Sequence, residues 1–117
     1  MSFHLLLINW LNNSLQNINL NKELDYANKK SLLSYTSASN YYTVTQGGIV
    51  IIESNYTESA QRVVLYDKKY STTEYIAFCD GNGANTGTVS MEVYKGQELY
   101  IGTSPQGAKR FDFTPFK

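Results

Sequence analysis

The sequence predicts an all-β domain, an antiparallel sandwich or jelly roll of about eight strands, behind a short N-terminal helix. Three observations predict it. From about residue 31 onward, apolar and polar residues alternate with a period of two. Turn-forming residues interrupt that alternation about every ten positions, the spacing of a sandwich and not of βαβ units. Before residue 25 the period is helical instead.

The helix comes first. Ile8, Leu11, Leu15 and Ile18 are spaced 3, 4 and 3, a heptad seam. An isolated helix this short is unstable in water. Residues 1–22 are therefore expected to pack on the domain or on copies of themselves, as an attachment or oligomerisation segment. Residues 23–117 form the domain, with no linker or internal repeat. The apolar run Leu5-Leu6-Leu7-Ile8-Asn9-Trp10-Leu11 is too short to span a membrane. No Lys or Arg precedes it and no small-residue cleavage pattern follows, which argues against a signal peptide. No basic residue before Lys22 equips the polar face for a membrane surface.

The strands follow in order. Residues 31–35 are a short first strand and residues 37–40 a turn by composition. Residues 41–45 and 48–53 read as a hairpin about Gln46-Gly47, where glycine takes positive φ without steric cost. Residues 61–67 put Val63 and Leu65 on one face. Residues 73–80 are expected to put Ile76 and Phe78 on one face. Residues 88–94 alternate, with Val89, Met91 and Val93 inward and Ser90, Glu92 and Tyr94 outward. Lys95-Gly96-Gln97 turns the chain. Leu99 and Ile101 face the core from the next strand, and Phe111 and Phe113 from the last, residues 110–114.

Composition narrows the function. At 117 residues the chain is one domain with room for one core. Its formal charge is zero, so neither nucleic acid nor an anionic membrane is an expected partner. Charged residues are 17% of the chain, against about 25% in typical domains. Tyr, Asn, Ser and Thr take their place, a surface suited to being partly covered by copies of itself. Cys79 is the single cysteine, so no intramolecular disulfide forms. Within an apolar run and beside Asp80, it is expected to be a buried core thiol.

No catalytic constellation is present. The run from Asp80 to Gly87 invites a calcium reading, but Ala84, Asn85 and Met91 occupy the positions where an EF-hand needs an oxygen ligand, glycine and glutamate. A glycine-rich connection is expected there, with no metal. His4 is the only histidine, and no phosphate-binding glycine loop ends in Lys-Ser or Lys-Thr. Glu53 with Glu58, and Glu92 with Glu98, read as solvated pairs. Neither an enzyme nor a cofactor is expected.

The tyrosines remain. Tyr56, Tyr66, Tyr70, Tyr75, Tyr94 and Tyr100 lie on or beside strands and loops. Tyrosine pairs well across strands, and it also supplies apolar area with a hydroxyl at interfaces and sugar sites. The least regular segments contribute Tyr56, Tyr70, Asn82, Asn85 and Gln106, rings and amides that suit sugar hydroxyls. They are the candidate ligand-binding residues, because loops carry function on a rigid scaffold.

Three stretches carry a resemblance: Tyr42-Thr43-Val44-Thr45-Gln46-Gly47-Gly48-Ile49-Val50, Val93-Tyr94-Lys95-Gly96-Gln97-Glu98-Leu99-Tyr100-Ile101, and Phe111-Asp112-Phe113-Thr114-Pro115-Phe116. Over about residues 25 to 117 the chain resembles the C1q/TNF-type jelly rolls of phage fibre and other virion proteins. It departs from them in having Gln46-Gly47 where a Pro-Ser-Asp-like turn is common. Its stem is only two heptads long, closer to an attachment segment than to a fibre shaft. The resemblance implies an antiparallel jelly-roll sandwich and a homotrimer. It further implies a virion structural protein assembled in the host cytoplasm, a fibre tip or capsid decoration. Other virion proteins would be contacted through the helix, and a cell-surface glycan or receptor through the loops. The competing expectation is a monomeric carbohydrate-binding module of a bacterial secreted or surface protein.

Overall fold

A computed structural model describes residues 23–55, 61–81, 86–103 and 107–117. The expected helix and its seam, Ile8, Leu11, Leu15 and Ile18, lie outside the described residues. One 3-10 turn, Tyr26–Asn28, precedes eight strands: β1 Lys30–Ser31, β2 Tyr42–Thr43, β3 Gly48–Ser54, β4 Gln61–Asp67, β5 Ala77–Gly81, β6 Thr88–Val93, β7 Glu98–Thr103 and β8 Ala108–Pro115. They form two four-stranded antiparallel sheets, ordered β1-β8-β3-β6 and β2-β7-β4-β5. Each early strand pairs with its mirror image in the later half: β1 with β8, β2 with β7, β3 with β6, β4 with β5.

Alternation builds the core between the sheets. β3 is buried at every second residue, which points Val50 and Ile52 inward. Phe111 and Phe113 of β8 and Val93 of β6 join them. From the second sheet come Val63 and Leu65, Leu99 and Ile101, and Cys79. Leu32 and Val44, just outside the strands, complete the cluster. Val89 and Met91 pack against it as their alternation predicts. Each such side chain contributes roughly 1.5–3 kcal/mol by leaving water.

Three expectations about local structure are corrected. First, residues 41–45 and 48–53 are not a hairpin. β2 pairs with β7 in one sheet, and β3 with β6 and β8 in the other. The chain changes sheets over a few residues: Val44 N–H donates to the Gln97 carbonyl, and the Gly47 carbonyl accepts from Phe116 N–H. Neither Gly47 nor Gly48 has positive φ, so the turn a two-residue hairpin needs is absent. Gly48 serves close approach instead, because a Cβ there would lie 2.3 Å from the Thr114 carbonyl oxygen.

Second, the first strand is only Lys30–Ser31, and its continuation also changes sheets. Leu32 N–H donates to the Phe111 carbonyl at 2.6 Å, whereas the Tyr35 carbonyl accepts from Ile101 N–H at 3.0 Å. The 37–40 turn is present, closed by Asn40 N–H on the Ser37 carbonyl. Third, β5 begins at Ala77, and its register places Cys79 inward, 6% exposed, and Phe78 outward, 43% exposed. Ala77-Phe78-Cys79 is apolar at every position, so alternation alone does not choose a face. Pairing chooses it: Cys79 lies opposite the inward Val63.

The sandwich has two distinct ends. At one, Asp67 is 1% exposed and ties together two connections. Its Oδ1 accepts from Lys69 N–H and Glu98 N–H, each at 3.1 Å, and its Oδ2 accepts from Gln97 Nε2 at 3.2 Å. Gln97 Oε1 in turn accepts from Tyr94 N–H. Gly96, φ 96°, is the third residue of that turn, where a type II turn requires positive φ. The same end gathers both flanks of the described domain. Leu24 bridges Phe116, Asp25 N–H donates to the Pro115 carbonyl, and Lys117 N–H donates to the Glu23 carbonyl. Residues 1–22 therefore join the domain here, beside its C-terminal strand. At the other end the buried Ser54 exchanges two hydrogen bonds with Gly87: Ser54 N–H to the Gly87 carbonyl, and Gly87 N–H to Ser54 Oγ, both 2.9 Å.

Removing Asp67 leaves three buried or half-buried donors without their acceptor. Asp67→Ala is expected to destabilise the domain by about 2–4 kcal/mol. Gly96→Ala, strained at positive φ, is expected to cost about 1 kcal/mol. Urea denaturation checks both: the midpoint falls while the slope stays constant. An Asp67→Ala midpoint equal to that of the unaltered protein would remove Asp67 from this role.

Candidate binding surfaces

Strand direction sorts the candidate loop residues between the two ends. Tyr56, Asn82, Asn85 and Gln106 themselves lie outside the described residues. The residues that flank them do not, and these converge. Ser54 pairs with Ala108, Gln61 with Gly81 and Val63 with Thr103, and Ser54 bonds Gly87. All four candidates thus belong to connections that leave one end of the sandwich. Tyr70 does not. It follows Asp67, its N–H donating to the Asp67 carbonyl, and stands 71% exposed at the end where residues 1–22 enter. The β4 strand from Gln61 to Asp67 separates the ends by about 20 Å at roughly 3.3 Å per residue. Tyr70 and the strand ends that flank the other four therefore lie at opposite ends of the sandwich.

The other tyrosines divide by physical role. Tyr35 and Tyr42 turn toward the core, with Tyr42 against Phe113 at 5.8 Å between ring centroids. Lys30 Nζ bonds the Tyr42 hydroxyl at 2.9 Å, which satisfies it at the core margin. Tyr66 and Tyr100, directly opposite across β4 and β7, stack at 4.9 Å and 16° on the outer face of the second sheet. This is cross-strand pairing. Gly102 leaves room for it, since a Cβ there would lie 3.0 Å from the Tyr66 ring. Burial first, and the neighbouring Tyr66 second, push the Tyr100 hydroxyl above its ordinary pKa, so it stays protonated. Beyond them Lys68 Nζ sits 4.3 Å over the Tyr41 ring.

Further along the same face, alternation carries Arg62 and Asp80 outward with Phe78. Arg62 Nε donates to Asp80 Oδ1 at 2.7 Å and Nη2 to Oδ2 at 3.0 Å. The guanidinium also lies 4.7 Å over the Phe78 ring. The Tyr75 ring meets Phe78 edge to face, at 5.4 Å and 75°. The Arg62 hydrogen bond holds the Asp80 carboxyl below its usual range. The sequence reading missed this group because it turned Phe78 inward. The register of β5 against Val63 and Leu65 was the missing information.

The described residues enclose no cavity. Among the described residues no cluster of three His, Cys, Asp or Glu has metal-binding geometry, and no helix is long and apolar enough to cross a membrane. Compared with known proteins, the chain matches no family model, no curated protein and no solved structure.

Cys79 is buried as its sequence context predicts, with its thiol directed at the Ile52 carbonyl. Burial is the main cause that raises its pKa and keeps it a thiol. It is expected to react with a thiol-specific disulfide reagent only when the domain unfolds. Rapid stoichiometric labelling of the folded protein would show that β5 opens.

Proposed function

We propose that the chain is a virion structural protein, a trimeric fibre-tip or capsid-decoration domain of jelly-roll type. Residues 1–22 attach it, and the opposite end faces a host surface. The observation that carries this is the strand order. Mirror-image pairing of β1 with β8, β2 with β7, β3 with β6 and β4 with β5 makes one long antiparallel ribbon. Rolled into two sheets, such a ribbon has jelly-roll connectivity, an architecture used in capsid and lectin domains. Function is argued from that analogy together with the placement of the chain ends.

The polarity of the sandwich supports the reading. Its flanks at residues 23–25 and 115–117 meet at one end, so a stem leaves there. The connections that carry Tyr56, Asn82, Asn85 and Gln106 leave the other. A tip held by its stem presents that far end outward, where loops are free to vary on a fixed scaffold.

Light scattering of the purified full chain is expected to give the mass of a homotrimer, with an obligate interface of about 2,000 Å² or more. A monomer at micromolar concentration would overturn the assembly and favour a carbohydrate-binding module. Leu11→Asp with Leu15→Asp is expected to abolish assembly or attachment while leaving the β domain folded. In a host-cell adsorption assay Tyr56→Ala is expected to lower binding, and Tyr70→Ala, at the stem end, to leave it unchanged. The reverse pattern would invert the proposed orientation.

A further inference from the structure

We propose that the outer corner of the β4–β5 ribbon, formed by Arg62, Tyr75, Phe78 and Asp80, is a binding site for a neutral carbohydrate. It abuts the loop end, where Gln61 pairs with Gly81, but goes beyond the proposed function, because it requires neither a trimer nor a virion.

The chemistry of the corner selects the ligand. Tyr75 and Phe78 are large rings left about half exposed, 45% and 43%. Meeting at 75°, they leave apolar area beside the Arg62 guanidinium, which already lies over the Phe78 ring. A pyranose has an apolar C–H face that covers such a ring and a rim of hydroxyls that does not. The rim would meet Arg62 and Asp80. Their side chains are 54% and 45% exposed, and their two mutual hydrogen bonds hold both groups in a fixed plane. Two bonds leave guanidinium N–H donors and carboxylate lone pairs unused, side by side. Adjacent sugar hydroxyls each donate and accept, so a diol matches that edge.

Charge narrows the choice. Asp80 repels an anionic sugar and Arg62 a cationic one, while the pair together is neutral. A second copy of the chain is a poorer occupant. A protein interface would strip water from an ion pair that is now about half exposed, and desolvation of that kind offsets the attraction. A sugar keeps replacing water with hydroxyls. The corner is also pre-organised, since the rings and the ion pair hold one another in place without a ligand. The half-exposed rings and ion pair lie along the outer face, which suits an oligosaccharide lying along the strand. Asp80 and Phe78 are two residues apart, about 7 Å at the rise of a strand.

The experiment is a glycan array of neutral hexose and N-acetylhexosamine oligosaccharides with anionic glycans beside them. A hit is then titrated while backbone amide shifts are followed. At least one neutral oligosaccharide is expected to bind, with shifts centred on Arg62, Tyr75, Phe78 and Asp80. Phe78→Ala is expected to weaken it about tenfold or more. Arg62→Lys keeps the charge but loses the fork that holds Asp80, and is expected to weaken binding as well. Tyr70→Ala is the control expected to change nothing. Unchanged thermal midpoints in the variants separate lost binding from lost folding, and Arg62→Lys carries the test if Phe78→Ala unfolds. Four outcomes overturn the proposal: no neutral glycan bound, binding only to anionic glycans, shifts confined to other residues, or Phe78→Ala lowering the mass of the assembly. The last would make this face a contact between copies. Failure here leaves the trimer standing, and a monomer in light scattering leaves this site standing.

Discussion

The antiparallel register between β3 and β8, from Gly48 opposite Pro115 to Ser54 opposite Ala108, is the constraint on which the rest depends. It joins segments some sixty residues apart, in the middle of one sheet. It sets Val50 against Phe113 and Ile52 against Phe111, the centre of the core. Once it is fixed, β6 has one free edge of β3 to join, and β1 has one free edge of β8. It also fixes polarity: Gly48 and Pro115 mark the end where both flanks of the described domain meet, Ser54 and Ala108 the far end. Pairings this distant in sequence require costly loop closure before any contact forms, so folding is expected to be slow for the chain's size.

Each end then needs its own lock, because backbone groups leaving a sheet lose their ladder partners. At the end where the flanks meet, a buried carboxylate does this. Asp67 takes hydrogen bonds from segments that belong to two separate connections, which makes it specific to one arrangement of them. At the far end Ser54 and Gly87 close the sheet through backbone and hydroxyl alone. The difference fits the roles proposed for the ends.

The second sheet shows how little of a tyrosine's role is set by its type. Tyr42 seals the core margin, Tyr66 and Tyr100 pair with each other, and Tyr75 stands at an exposed corner. All are strand or strand-edge residues in a polar, weakly charged chain. What separates them is which neighbour the pairing brings across: Phe113, another tyrosine, or Phe78 with an arginine stacked on it.

By itself the sequence determined that the protein is all-β and which residues line most of its core. Alternation is a local property, and Val63 with Leu65, Val89 through Val93, Leu99 with Ile101 and Phe111 with Phe113 obey it. The Gly96 turn was legible from its glycine, and the burial of Cys79 from its residue type and apolar neighbours, not from alternation. Partnership was not local. Tyr42-Thr43 and Gly48-Ile49 look like two arms of a hairpin, yet each is claimed by a strand from the far half of the chain. Phe78 and Cys79 compete for the core on equal hydrophobic terms, and only the β4 register separates them. The candidate site follows the same rule. Its residues were visible singly, but their grouping was decided by tertiary structure. Arg62 reaches Asp80 and Phe78 only because β4 and β5 pair, and Tyr70 is parted from the other loop candidates only because a strand runs the length of the sandwich between them.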